Sequence, residues 1–331
     1  PFIKSGNVTP GVARAATKIN RVVSTALFFI LTAAVAISVK LTELKLENMT
    51  GEVFLYHLTD AASVMFGGKT IGEFDTAEYV QAFADADASP YYGMAKGRNL
   101  ILVQVESLQG FVINNDFYGH EITPNLNALI KNDSFYFPNY YYVVGAGNTS
   151  DAEYAVNNSL YPPTDTAAYI KYTEKNYYGL PFVLKDNGYK TADVFHGYKR
   201  EYWNRDKAYP YQGFDNYYSE ETFSTDHMIG LGVSDEKFFA ESVEILKTKP
   251  QPFYAFMISL SSHHPYWLPQ NDRMLPVPEN LDNTLFANYF VAINYVDYAI
   301  GRLIEELKAA GLYENSVIVI YGDHYGMPND A

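Results

Sequence analysis

Asn99-Leu100-Ile101-Leu102-Val103-Gln104-Val105, followed at once by Glu106-Ser107, is the stretch that decides the fold. A short, nearly unbroken apolar run that stops at a polar pair reads as a strand buried on both faces. Three further runs of this kind lie downstream, at 191–195, 253–260 and 317–321. Helical patterns fall between them at 123–131, 151–160, 179–187, 235–247 and 288–310, the last closed by Gly311 as a C-terminal cap. Strands alternating with helices predict an α/β layered fold with a central, mostly parallel sheet flanked by helices. Such folds bind ligands beyond the carboxyl ends of their strands, so the residues just past each run are where chemistry is expected.

Working outward, the chain has 331 residues, of which 48% are hydrophobic, with 30 Tyr and 21 Phe. That supports a large core and excludes a disordered chain. There is no cysteine, which excludes disulfides, thiolate metal sites and a cysteine nucleophile. The net charge of −14 argues against nucleic acid as a partner. Charge is unevenly placed: residues 1–40 hold Lys4, Arg14, Lys18, Arg21 and Lys40 and no acid, so the remainder carries −19. Between Arg21 and Lys40 lies VVSTALFFILTAAVAISV, 22–39. As a helix it would span about 27 Å, close to the hydrocarbon thickness of a bilayer. A buried core helix is the plainer alternative, disfavoured by 18 residues without a polar face, and a cleavable signal would have a shorter apolar core with its cleavage site beyond it. The run is therefore expected to be a transmembrane helix. The cations before it place 1–21 in the cytoplasm and the residues after 39 outside the cell membrane. Residues 40–98 read as a juxtamembrane connector with helical patterns at 41–58 and 76–86, and 99–331 as the extracytoplasmic catalytic domain.

The strand ends carry the chemistry. Glu106 follows the first run and Asp323-His324 the last; carboxylates and imidazole are ordinary ligands of divalent ions, and Gly322 and Gly326 are expected to give the turn its flexibility. The loop Gly145-Ala146-Gly147-Asn148-Thr149-Ser150-Asp151 runs into a helix start, a place that favours anions. A hydroxyl there can serve as a metal-activated nucleophile, or Thr149, Ser150 or Asp151 can simply cap the helix. Ser261-Ser262-His263-His264-Pro265-Tyr266 offers a histidine for a phosphate oxygen or a leaving alkoxide. His196 to Asp206 offers Arg205 as a planar phosphate clamp and Trp203 as a platform for a sugar or glycerol unit. The plainer alternative for Arg205 is a surface ion pair with Asp206 or Asp215. Together these pieces describe metal-assisted phosphoryl transfer.

The chain resembles the lipoteichoic acid synthase family, membrane-anchored phosphoglycerol transferases of the alkaline phosphatase/sulfatase superfamily. The resemblance rests on VESLQGFVIN (105–114), EITPNLNAL (121–129), GNTSDAEYAVNNSLY (147–161), FHGYKREYWNRD (195–206), SSHHPY (261–266) and VIVIYGDHYG (317–326). It implies that Thr149 is the nucleophile and, with Glu106, Asp323 and His324, a ligand of one divalent metal, most often Mn²⁺, with Zn²⁺ or Mg²⁺ as alternatives. It implies substrate contacts at His263, Arg205, Trp203 and His196. The implied donor is phosphatidylglycerol and the acceptor a glycerophosphate chain or glycolipid, at the lipid bilayer. Gln104 stands where well-known members carry histidine, which implies a changed substrate contact. Positive potential for an anionic substrate is expected from the metal and Arg205, with Lys199 and Arg200. A chain that begins at Pro1 and ends at Ala331 is expected to be part of a longer protein, with further membrane helices before it and more of the catalytic domain after it.

Two kinds of alternative stand beside this. One is a phosphoethanolamine transferase, phosphodiesterase or sulfatase of the same superfamily, although the absence of cysteine excludes a cysteine-derived formylglycine. The other is an inactive module that binds glycerophosphate polymers.

Overall fold

The computed structural model describes residues 89–132 and 134–327. The basic segment 1–21, the expected transmembrane helix 22–39 and the helical patterns of the connector lie outside the described residues. Among the described residues no helix is long and apolar enough to cross a membrane.

The elements in order are β1 (Asn99–Val105), the two-residue ribbon β2 (Asp116–Phe117) and β3 (His120–Glu121), α1 (Pro124–Ile130), α2 (Thr149–Asn158), α3 (Ala168–Lys171) and α4 (Leu180–Asp186). Then come β4 (Thr191–His196), α5 (Arg205–Tyr211), β5 (Asn216–Tyr218), the ribbon β6 (Met228–Ile229) and β7 (Gly232–Val233), α6 (Asp235–Leu246), β8 (Phe253–Ile258), α7 (Leu285–Ala309) and β9 (Ser316–Gly322). The main sheet has the order β5-β4-β8-β1-β9 and every pairing in it is parallel. The expected layered α/β fold is what the chain adopts.

The reason for a parallel sheet is visible in β1. Ile101, Val103 and Val105 face one core with Phe238 and Phe239 of α6 and Val291 and Ile300 of α7. Leu102 faces the other, with Tyr154 of α2, Tyr169 of α3 and Tyr209 of α5. Both faces are covered by helices, so polar alternation would be costly and a continuous apolar run results. Each such large side chain removed from water contributes about 1.5–3 kcal/mol. α7 buries Ala292, Val296, Ala299, Leu303 and Leu307, the three-to-four spacing of one helix face. It begins at Leu285, three residues before the expected 288, because the Thr284 side chain accepts from the Ala287 N–H and caps it. Its buried Asp297 in turn accepts from the Asn125 and Leu126 N–H groups at 2.9 and 2.8 Å and so caps α1 from outside. α5 and β5 were not expected. Pro210 interrupts the helical pattern of α5, and β5 is a three-residue edge strand.

Candidate active site

Parallel strands carry their carboxyl ends to one edge, which brings Glu106, His196, the 259–264 loop and Asp323-His324 together. The ends of β1 and β9 are tied crosswise. The Ser107 N–H donates to Asp323 Oδ1 at 2.8 Å, and the Asp323 N–H donates to the Val105 carbonyl at 3.3 Å. A Cβ on Gly322 would stand 2.0 Å from the Leu108 carbonyl oxygen, and one on Gly326 2.9 Å from that of Ser107. Neither glycine has a left-handed backbone. They serve close chain approach, which corrects the expectation of flexibility.

Ligand atoms of Glu106, Asp323 and His324 all lie within 4.8 Å of one another. His324 Nε2 is 3.2 Å from Glu106 Oε1 and 3.5 Å from Asp323 Oδ2. Its Nδ1 donates to the Tyr325 carbonyl at 2.8 Å, which turns Nε2 inward as a metal-ligating histidine requires. Burial pushes the Glu106 carboxyl up, but the His324 hydrogen bond and charge outweigh it and hold the group at about 2. Burial, and then the charge of Glu106, push Asp323 well above the usual carboxylate range. His324 is lowered by burial, yet Glu106 and Asp323 together raise it to about 9. Asp323 Oδ2 is buried with no hydrogen-bond partner. Two buried carboxylates and an imidazole, with one carboxylate oxygen lacking a hydrogen-bond partner, form a donor set that fits a divalent cation.

Thr149 is the first residue of α2, and its Oγ1 lies 3.2 Å from Glu106 Oε2 and 3.3 Å from His324 Nε2. The capping alternative fails. Asn148 occupies the cap position at φ 40°, with no side-chain cap. Ser150 Oγ donates back to the Gly147 carbonyl. The Asp151 carboxylate accepts from the N–H groups of Gly145, Gly147 and Ala168 at 2.8–2.9 Å, folding the loop around itself. A Cβ on Gly147 would sit 2.5 Å from Asp151 Oδ1, so that wrap demands glycine. Gln104 is fully buried. Its Nε2 donates to the Thr149 carbonyl at 3.2 Å and its Oε1 accepts from the Tyr321 hydroxyl. It supports the loop and does not line the pocket, in keeping with a substrate contact that differs from the family's histidine.

One pocket of about 350 Å³ is lined by Glu106, Thr149 and His324 together with His196, Trp203, Arg205 and His263. Arg205 is buried and paired with Glu153 at 2.6 Å, not with Asp206 or Asp215 at the surface. Its Nη1 is buried without a partner. Trp203 and Asn204 both take left-handed backbone, at φ 60° and 55°, as the chain enters α5. His196 Nδ1 lies 3.0 Å from the Ile258 carbonyl, which can only accept, so Nε2 is the acceptor nitrogen. Burial, then the charge of Arg205, lower His196 to about 3 and keep it neutral. His263 is half-buried in a turn whose base Asp235 holds, accepting from the Leu260 and Ser261 N–H groups at 2.8 and 3.0 Å. Lys199 is exposed, and Arg200 turns away to the Tyr217 carbonyl at 2.7 Å, so of the three expected cations Arg205 alone lines the pocket. Glu153, Asp151 and Asp235 had no reading as site residues. The one signal in sequence was the four-residue spacing of Glu153 from Thr149.

The sulfatase family model matches residues 98–330. The chain belongs to the sulfatase family. Among this family's members it is 38% identical over 262 residues to lipoteichoic acid synthase 1 of Bacillus subtilis (strain 168), covering 78% of this chain and 40% of the relative. It is 39% identical over 242 residues to lipoteichoic acid synthase of Staphylococcus aureus (strain USA300), covering 72% and 37%. The crystal structure of the lipoteichoic acid synthase LtaP from Listeria monocytogenes superposes with a TM-score of 0.70 at 36% identity, covering 73% of this chain and 60% of that one. The chain thus spans about two fifths of the length of the curated relatives it matches. In this sulfatase-family chain, Thr149 is the hydroxyl that reaches both Glu106 and His324.

Proposed function

We propose that this protein is a metal-dependent phosphoglycerol transferase. In this reading it takes glycerophosphate from phosphatidylglycerol and passes it to a glycerophosphate chain or glycolipid, as in lipoteichoic acid synthesis. The observation that carries it is the placement of Thr149 Oγ1 against Glu106 and His324, in one pocket with Arg205, whose Nη1 has no partner. The likeness to lipoteichoic acid synthases supports this branch over phosphoethanolamine transfer or sulfate ester hydrolysis. The run at 22–39 is read as the anchor that keeps the catalytic domain outside the membrane, beside its lipid donor.

Glu106, Asp323, His324 and Thr149 would hold the ion, taken as Mn²⁺. When bound, it would lower the pKa of the Thr149 hydroxyl and offset the phosphate charge. Thr149 gives its proton to solvent and Oγ1 forms a bond to phosphorus. The bond from phosphorus to the diacylglycerol oxygen breaks, and that oxygen takes up a proton, with His263 as donor. An acceptor hydroxyl then attacks the same phosphorus and gives its proton to His263, now neutral; the bond from phosphorus to Thr149 Oγ1 breaks, and Oγ1 takes back a proton from solvent. Splitting one displacement into two is the role of a covalent nucleophile. Arg205 Nη1 holds a phosphate oxygen, Trp203 packs on the glycerol unit, and His196 Nε2 accepts from a glycerol hydroxyl.

The test uses the full-length protein with labelled phosphatidylglycerol in vesicles and Mn²⁺. Diacylglycerol release that EDTA and Thr149→Ala each abolish is expected. A folded, Mn²⁺-loaded protein that releases none would overturn the donor assignment.

A further inference from the structure

Glu153 is a fully buried charge, paired with a pocket residue, that this scheme leaves unused. It stands four residues after Thr149 on α2, one turn along the same face. Its Oε1 accepts from Arg205 Nη2 at 2.6 Å and from Nε at 3.1 Å. Its Oε2 accepts from Arg205 Nε at 3.2 Å and from the Tyr209 hydroxyl at 2.6 Å. Both side chains are sealed from solvent, Glu153 at 0% and Arg205 at 2% exposure. The carboxylate therefore holds Nε and Nη2 and leaves Nη1, which has no partner in the fold.

Charge alone does not account for this pair. Glu153 cancels the charge of Arg205 and so weakens its pull on an anion. Fold stability does not account for it either, since apolar residues of similar volume often replace a buried ion pair without loss. What a carboxylate with this geometry supplies is direction.

We infer that Glu153 is a positioning residue: through one turn of α2 it fixes the direction in which Arg205 presents Nη1 relative to Thr149 Oγ1, so that nucleophile and phosphate-holding guanidinium are aligned as one rigid unit. This rests on the reading of Thr149 as nucleophile and Arg205 as phosphate contact. It separates two quantities. Removing the negative charge of Glu153 leaves phosphate binding intact or tighter, while the transfer step, which depends on alignment, slows.

The test uses the full-length, Mn²⁺-loaded protein and two variants, Glu153→Gln and Glu153→Asp. Inorganic phosphate is the binding probe, diacylglycerol release gives kcat and KM, and the Arg205 Nε–H resonance, assigned with Arg205→Lys, reports the guanidinium. Glu153→Gln is expected to bind phosphate as tightly as wild type or more so. Its kcat falls about 10- to 100-fold, the scale of a small misplacement, and the downfield position of the Arg205 resonance is lost. Glu153→Asp keeps the ion pair and folds, but its shorter side chain draws the guanidinium toward α2, so kcat falls with KM held. If Glu153→Gln does not fold, Glu153→Asp decides. A folded variant with kcat within twofold of wild type overturns the inference, as does a loss of phosphate binding and kcat in equal proportion. Wild-type protein that releases no diacylglycerol overturns the donor reading alone. The phosphate and resonance measurements then decide this inference, and an unmoved Arg205 resonance in Glu153→Gln overturns it.

Discussion

His324 Nε2 faces Glu106 Oε1 at 3.2 Å, so a proton on the imidazole is held by the carboxylate. With no ion bound, that proton is held up to about 9, against an ordinary imidazole value of 6.5. A group raised on folding stabilises fully below its unfolded value and loses that contribution as pH climbs through the folded one. Asp323, raised by burial and by the charge of Glu106, also disfavours the fold as pH rises. Glu106, held down at about 2, contributes above its ordinary 4.5 and loses that contribution only as pH falls below it. The metal-stripped protein is therefore expected to lose melting temperature between about pH 6.5 and 9. The Mn²⁺-loaded protein should not show this decline, because the ion replaces the proton. Calorimetric Mn²⁺ titration near pH 7.5 in buffers of different ionisation enthalpy should register proton release. Uptake without release would contradict the site.

Thr149 puts one oxygen within reach of two of the three metal-fitting residues, so its hydroxyl and its methyl are separable. Thr149→Ala removes the oxygen and should reduce diacylglycerol release by about 10⁴-fold or more, the scale seen when a nucleophile is deleted. Thr149→Ser keeps the oxygen at the same place on α2 and frees its rotamer. It should retain activity well above Thr149→Ala. Equal activity of the two would remove Thr149 from the chemistry.

How far these residues were legible depends on whether their partners are near in sequence. β1, β4, β8 and β9 were readable within two residues at either end because burial on both faces leaves an apolar run with polar punctuation. The same logic pointed to Glu106, His196, His263 and Asp323-His324, since parallel strands share one edge. Glu153 was not legible: its partner Arg205 lies 52 residues away on a helix that Pro210 disguised. Asp151 looked like a helix cap because local pattern shows an acid in a first turn but not the three N–H groups that converge on it. Gln104 was legible as a departure from the family's histidine but not in its role, because its partners, the Thr149 carbonyl and the Tyr321 hydroxyl, lie 45 and 217 residues away.

Gln104 gives a stability test free of catalysis. It bridges the Thr149 carbonyl and the Tyr321 hydroxyl in a fully buried setting. Gln104→Leu keeps the volume and leaves the Tyr321 hydroxyl unpaired, at about 1–3 kcal/mol, while the Thr149 carbonyl keeps its bond within α2. Urea unfolding should show a loss of about 1–3 kcal/mol with an unchanged m-value. A loss under about 0.5 kcal/mol would mean that water reaches the Tyr321 hydroxyl, and the loop is not held as described.

Gly322 and Gly188 separate crowding from backbone conformation. Gly188 has φ 94° and nothing within 4 Å of an added Cβ. Gly188→Ala therefore carries only the left-handed penalty of about 1–2 kcal/mol. Gly322 has no such penalty, but an added Cβ would stand 2.0 Å from the Leu108 carbonyl oxygen. Neither atom is the end of a flexible side chain. Gly322 is held in register opposite Val105 of β1, so relief requires the strand ends to part. Parting them moves Asp323, whose N–H donates to the Val105 carbonyl. Gly322→Ala should thus cost about 3 kcal/mol by urea unfolding and also weaken Mn²⁺ binding by about tenfold or more, the effect of disturbing groups that orient a ligand. Gly188→Ala should leave Mn²⁺ affinity at the wild-type value. Equal Mn²⁺ affinity in both variants would show that the β1 and β9 crossing does not set the position of Asp323.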